Sequence, residues 1–287
     1  MKGKLESFFG AVGYLFITFL IQLTVSIVAG IMIGFVYLFK NANEITTTGV
    51  NTDEIINKAT GLTNYILLVS SIVTVAVFLL IYKSRKKNVK EELQIVKTSK
   101  SNIIIGVGLG ISVWLFNTGL MSLVQEAGLL KEHFSIMENM LAPLSEGSIF
   151  ISLLTVGIVA PFTEEFIFRG VIFKTLNKNI STLGTIIIQA LFFGIFHGNL
   201  IQGIYATLLG VVLGYITYRT RSLWPAIIIH IINNTIATIS PFILNNVPST
   251  MTILISFIII GALGITILIY FINKINIRYK SKFISIN

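Results

Sequence analysis

Eight apolar runs, near residues 8 to 39, 62 to 82, 103 to 125, 148 to 173, 182 to 198, 200 to 218, 223 to 240 and 251 to 272, take up most of this chain. About 20 mostly apolar residues are needed for a helix to cross the hydrocarbon of a bilayer, and a helix satisfies its own backbone polar groups there. Of 287 residues, 54% are hydrophobic and only 11% charged, with a mean hydropathy of +0.87. A soluble domain carries roughly 25% charged residues, so this chain lacks the polar surface to face water on all sides. The expected fold class is all-α: a polytopic membrane helical bundle of about eight transmembrane helices, in a multi-pass integral protein of the cell membrane. Pro161 lies inside the fourth run and is expected to kink or break that helix.

Lys and Arg set the orientation, because cytoplasmic loops are enriched in them. With the N-terminus inside, 17 of the 21 basic residues fall on inner segments, among them Lys2, Lys4, the cluster from Lys83 to Lys100, Lys174, Lys178, Arg219, Arg221 and the tail from Lys274. The outer loops hold Lys40, Lys58 and Lys131 beside several acids, and Arg169 lies within a span. Both termini are therefore expected to be cytoplasmic. The net charge of +9 reads as a topology signal in contact with the lipid bilayer, and no nucleic-acid partner is expected. The first run is too long for a signal-peptide core and is expected to be retained. Residues 84 to 101 form a polar connector on the cytoplasmic surface. With no cysteine in the chain, disulfides, thiolate metal sites and a cysteine nucleophile are excluded.

Gly106, Gly108 and Gly110 superficially suggest a dinucleotide loop, but position 111 is Ile and the segment reads as a membrane span. Gly106 with Gly110, and Gly210 with Gly214, are expected instead to let helices approach closely.

Ionisable side chains are nearly absent from the spans, and the exceptions cluster: Glu164, Glu165, Arg169, His197 and His230. A charge at mid-bilayer costs roughly 2.5 to 3.5 kcal/mol on insertion scales, so the two acids and the arginine must be paired or functional. Glu165 and Arg169 stand four residues apart with the acid first, the better order for an ion pair along one helix face. Glu164 points about 100° away and is free to face a cavity. Gln189, Phe193 and His197 share a face at i, i+4, i+8 spacing, as do His230 and Asn234 at i, i+4. His133 lies in an acidic outer loop and is given no role. A carboxylate and an imidazole can polarise water, while a second imidazole and an amide can stabilise an oxyanion. That set suits amide hydrolysis. The same Glu and His residues could alternatively hold a divalent metal such as zinc, leaving the other Glu as base, although no HExxH motif is present.

At these positions the chain resembles the CAAX prenyl protease and bacteriocin-processing family, the abortive-infection family of intramembrane proteases. The family pattern EExxxR, FxxxH and HxxxN reads here as Glu164-Glu165 to Arg169, Phe193 to His197 and His230 to Asn234, and Ser222 to His230 is similar to the family's third-motif context. The resemblance covers roughly residues 145 to 240. It implies that Glu164 acts as general base with His197, that Glu165 and Arg169 orient His197, that His230 and Asn234 stabilise the oxyanion, and that Phe193 lines the site and contacts substrate. It also implies an enzyme acting on a membrane-associated peptide or protein, either metalloprotease-like or, as favoured, needing no cofactor. The chain then divides into helices 1 to 3 with the basic connector (1–144), the protease core (145–240) and a last helix with its basic tail (241–287).

On straight helices Glu164, His197 and His230 fall at different depths, so a break at Pro161, a tilt or a late start of the fifth span is expected, with the site opening toward the cytoplasm. The runner-up reading is a non-catalytic immunity or scaffold protein of the same fold. A third reading is a transporter that uses the buried acids and histidines as a proton relay. Substrate identity and oligomeric state are not legible in the sequence.

Overall fold

The computed structural model of the protein describes residues 2–43, 45, 49–145, 147–244 and 250–284, with side chains through residue 276. The principal helices are α1 (Lys2–Lys40), α2 (Thr63–Ser84), α3 (Lys100–Glu126), α4 (Lys131–Ser145), α5 (Ile149–Leu176), α6 (Thr182–Phe196), α7 (Leu200–Thr220), α8 (Leu223–Ile243) and α9 (Met251–Ile284). No strand is found among the described residues. Several helices begin on a side-chain cap of the usual kind: Ser99 accepts from the Asn102 amide, Ser181 from Gly184, Asn199 from Gln202 and Ser222 from Trp224.

Seven of these helices are long and apolar enough to cross a membrane, and α6 is not. The apolar runs predict eight. With 15 residues, α6 rises only about 22 Å at 1.5 Å per residue, against about 30 Å of hydrocarbon. It stops at His197, and the chain turns through Gly198, whose φ of +74° suits glycine, directly into α7.

Large apolar side chains point outward along the spans, among them Phe16, Phe35, Leu80, Ile104, Ile195 and Leu263, as a lipid-facing surface requires. Inside, α8 and α9 pack on α3, and α6 forms a hairpin with α7. The glycines expected to allow close approach do so. A Cβ on Gly110 would lie 2.7 Å from the Ile229 carbonyl oxygen of α8, and one on Gly210 would lie 3.0 Å from Ala190 Cα of α6.

Pro161 does not break α5. The helix runs through two wide-turn stretches, Leu153–Val159 and Phe166–Ile172, flanking an ordinary α-helical segment, Ala160–Glu165. In the wide turns backbone amides reach back five residues, as Ala160 does to the Thr155 oxygen. Pro161, at the start of the ordinary segment, falls where the four-residue ladder is already interrupted.

Candidate active site

The ordinary segment of α5 carries both acids. Glu165 is fully buried, and its Oε1 accepts from Arg169 Nη1 at 2.8 Å and from His230 Nδ1 at 2.8 Å. The ion pair expected from the four-residue spacing is present, but the imidazole it supports is that of His230 on α8. The orientation of His197 by Glu165 and Arg169 that the resemblance implied is not what the geometry shows. His197 lies beyond ion-pair reach of both acids, and its Nδ1 donates instead to the Phe193 carbonyl at 2.8 Å. That bond leaves its Nε2 free to accept a proton.

Glu164 faces the same imidazole from the other side. Its Oε2 lies 3.6 Å from His230 Nε2, has no hydrogen-bond partner, and belongs to a side chain that keeps 19% exposure. Two adjacent carboxylates thus occupy different environments, one locked between guanidinium and imidazole and the other partly exposed beside the imidazole, and neither is among the residues that line the cavity next to them.

Phe193 joins the parts. The Arg169 guanidinium stands 4.4 Å from the centre of its ring, a cation–π contact, and the ring meets His197 and His230 edge-on at 4.9 and 5.5 Å. It is fully buried, so it supports the site more than it offers surface. The difference in depth is not taken up by a break at Pro161. It is taken up by the short α6, which ends at His197, and by Phe193, which reaches His230 from one turn earlier in α6. Gln189, a further turn back, is buried and donates to the Gly210 carbonyl at 2.8 Å, tying α6 to α7.

His230, His197, Asn234 and Phe193 all line one cavity of about 460 Å³, within the usual range of about 300 to 1,000 Å³ for ligand sites. Asn234 Nδ2 donates to the Val156 carbonyl at 3.2 Å, and its Oδ1 accepts from Asn233 at 3.0 Å. The amide is held from two sides and keeps its second N–H. The cavity runs toward Gln125, Ser145 and Phe242, at helix ends away from Lys2 at the start of α1.

Residues 146–236 match the family model "Type II CAAX prenyl endopeptidase Rce1-like". The chain is also 28% identical over 194 residues to a Bacillus subtilis (strain 168) protein named "Putative membrane peptidase YdiL", a match covering 67% of this chain and 76% of that protein. Both similarities are to proteins described as peptidases, in keeping with the resemblance of the three motifs to the CAAX prenyl protease and bacteriocin-processing family. No solved structure matches it.

Nothing in these similarities supports a metalloprotease-like centre. Among the described residues no three His, Asp or Glu side chains converge to hold a metal ion. Glu165 and His230 Nδ1 are already committed to each other, and the His197 ring faces its own helix through Nδ1. Sequence reasoning missed Asn233, buried beside Asn234, and also Gln202 and Tyr205 on the cavity wall. Two consecutive asparagines in an otherwise apolar run were a signal for the first; nothing in the spacing marked the others.

Proposed function

We propose that the protein hydrolyses a peptide bond of a membrane-associated peptide or protein with water as nucleophile and Glu164 as general base. The observation that carries this reading is the contrast between the two acids. Both acids keep an Oε2 without a hydrogen-bond partner, but Glu165 is fully buried with its Oε1 bonded to Arg169 and His230, whereas Glu164 stands 3.6 Å from His230 Nε2 and its side chain keeps 19% exposure. Glu164 takes a proton from water, the oxygen bonds to the substrate carbonyl carbon, and the carbonyl oxygen gathers negative charge. His230 and the free N–H of Asn234 stabilise that oxygen. The carbon–nitrogen bond then breaks and the leaving nitrogen takes up the proton. His197, with Nε2 open to the cavity, assists activation of the water and proton movement. Phe193 and the Glu165–Arg169 pair hold these groups in position. No cofactor enters the scheme.

The test uses purified protein in lipid vesicles with a quenched, uncharged peptide. Glu164→Gln is expected to lower turnover by about 10² to 10⁴, the usual worth of a general base, and a chelator is expected to leave wild-type turnover unchanged. Full turnover by Glu164→Gln refutes the base assignment, and chelator-sensitive turnover refutes the cofactor-free scheme.

A further inference from the structure

The cavity has a side and a chemistry that the family reading leaves open. Its outer walls come from Gln125 at the end of α3, Ser145 at the end of α4, Ile149 at the start of α5 and Phe242 near the end of α8. The chain crosses these points at the end away from its termini. The opposite end carries the basic segments: Lys2 and Lys4, the run from Lys83 to Lys100, Lys174 and Lys178, Arg219 and Arg221, and the tail from Lys274. Among the cavity-end segments basic residues number three, Lys40, Lys58 and Lys131, and they are accompanied by Asp53, Glu54, Glu126, Glu132 and Glu138. Short loops rich in Lys and Arg stay in the cytoplasm, so this asymmetry turns the mouth of the cavity outward. The walls also contain no Asp, Glu, Lys or Arg; apart from the two histidines they are apolar or neutral polar, including Trp114, Met121, Phe134, Met137, Leu141 and Tyr205.

We infer that the site works on the extracytoplasmic face of the membrane, on a lipid-embedded or membrane-anchored polypeptide whose scissile bond is flanked by uncharged side chains. The sidedness stands on the charge pattern and the cavity alone, while the substrate class rests on the peptidase reading above. Glu164 is not among the wall residues and stands beside His230, so apart from the catalytic groups themselves a Lys or Glu next to the bond would enter walls that hold no opposite charge to pair it.

The absence of cysteine makes the test direct. Ser145→Cys at the cavity mouth and Ser84→Cys at the basic end, both exposed serines, are exposed in intact cells to a membrane-impermeant maleimide. Ser145→Cys is expected to label without permeabilisation and Ser84→Cys only after it. Labelling of Ser145→Cys only after permeabilisation, or of both in intact cells, overturns the inference. In parallel, a quenched Ala/Leu/Phe peptide is supplied to right-side-out and inside-out membrane vesicles. Glu164-dependent cleavage is expected to be at least tenfold faster in the right-side-out preparation and to fall at least tenfold when Lys or Glu flanks the bond. Faster cleavage from the cytoplasmic face overturns the sidedness, and indifference to flanking charge overturns the substrate class. External labelling with no Glu164-dependent cleavage from either face refutes the peptidase reading and the substrate class, and leaves the sidedness standing.

Discussion

Arg169 is fully buried, and its guanidinium is matched to a fully buried carboxylate at 2.8 Å. Removing one partner of such a pair leaves an uncompensated charge and costs about 3 to 5 kcal/mol. Arg169→Met should cost that much, and Glu165→Leu a similar amount, so additive behaviour would put the double variant about 6 to 10 kcal/mol below wild type. Replacing both partners by apolar residues is instead close to neutral. What remains is the orphaned His230 Nδ1, which had donated to Glu165, at about 1 to 3 kcal/mol. The double variant should therefore be more stable than either single one, with a coupling on the order of 5 kcal/mol. Equilibrium unfolding in detergent of all four proteins measures it. If the two single losses add to within about 0.5 kcal/mol, as they do for independent sites, the buried pair is not the clasp described here.

Asn234→Ala should lower kcat by about 10² to 10³ with little change in KM, as loss of an oxyanion donor does; steady-state kinetics decides, and a pure KM effect contradicts the role. Phe193→Leu should destabilise the protein by about 2 kcal/mol, chiefly by removing the ring under Arg169, which thermal unfolding would detect. Gly110→Ala should cost about 1 to 3 kcal/mol through overlap with α8. Gly13→Ala in α1, where an added Cβ meets nothing within 4 Å, should be neutral or slightly stabilising, and equal effects at the two glycines would contradict the packing argument.

The spans and the set of chemical residues were legible because lipid imposes simple demands. Apolar runs announce themselves, and charges such as Glu164, Glu165 and Arg169 stand out against them. The Glu165–Arg169 pair was legible because both partners lie on one helix at a spacing that dictates contact. Which imidazole completes the pair was not, because the choice between His197 and His230 depends on how α6 and α8 lie against α5, and spacing within one helix carries no such information. The shortness of α6 was hidden for a related reason: the apolar run continues almost unbroken through His197 into α7, and only Gly198 and the Asn199 cap mark the turn. On its charges alone helix α4 reads as an outer loop. Phe134, Met137, Leu141 and Leu144 recur on one helical face and line the cavity.

The wide turns before Pro161 also govern how the molecule can vary. The carbonyls of Val156 and Gly157 lie within Leu153–Val159, and they receive the side chains of Asn234 and Thr235. The surplus residue in those turns acts as an indexing tooth, setting the angle at which everything downstream in α5 leaves it. Deleting one residue there would rewind the helix and swing both carboxylates by about 100°, away from His230, without altering any residue of the EExxxR, FxxxH and HxxxN pattern. Natural variation in this stretch should therefore run to substitutions and spare its length.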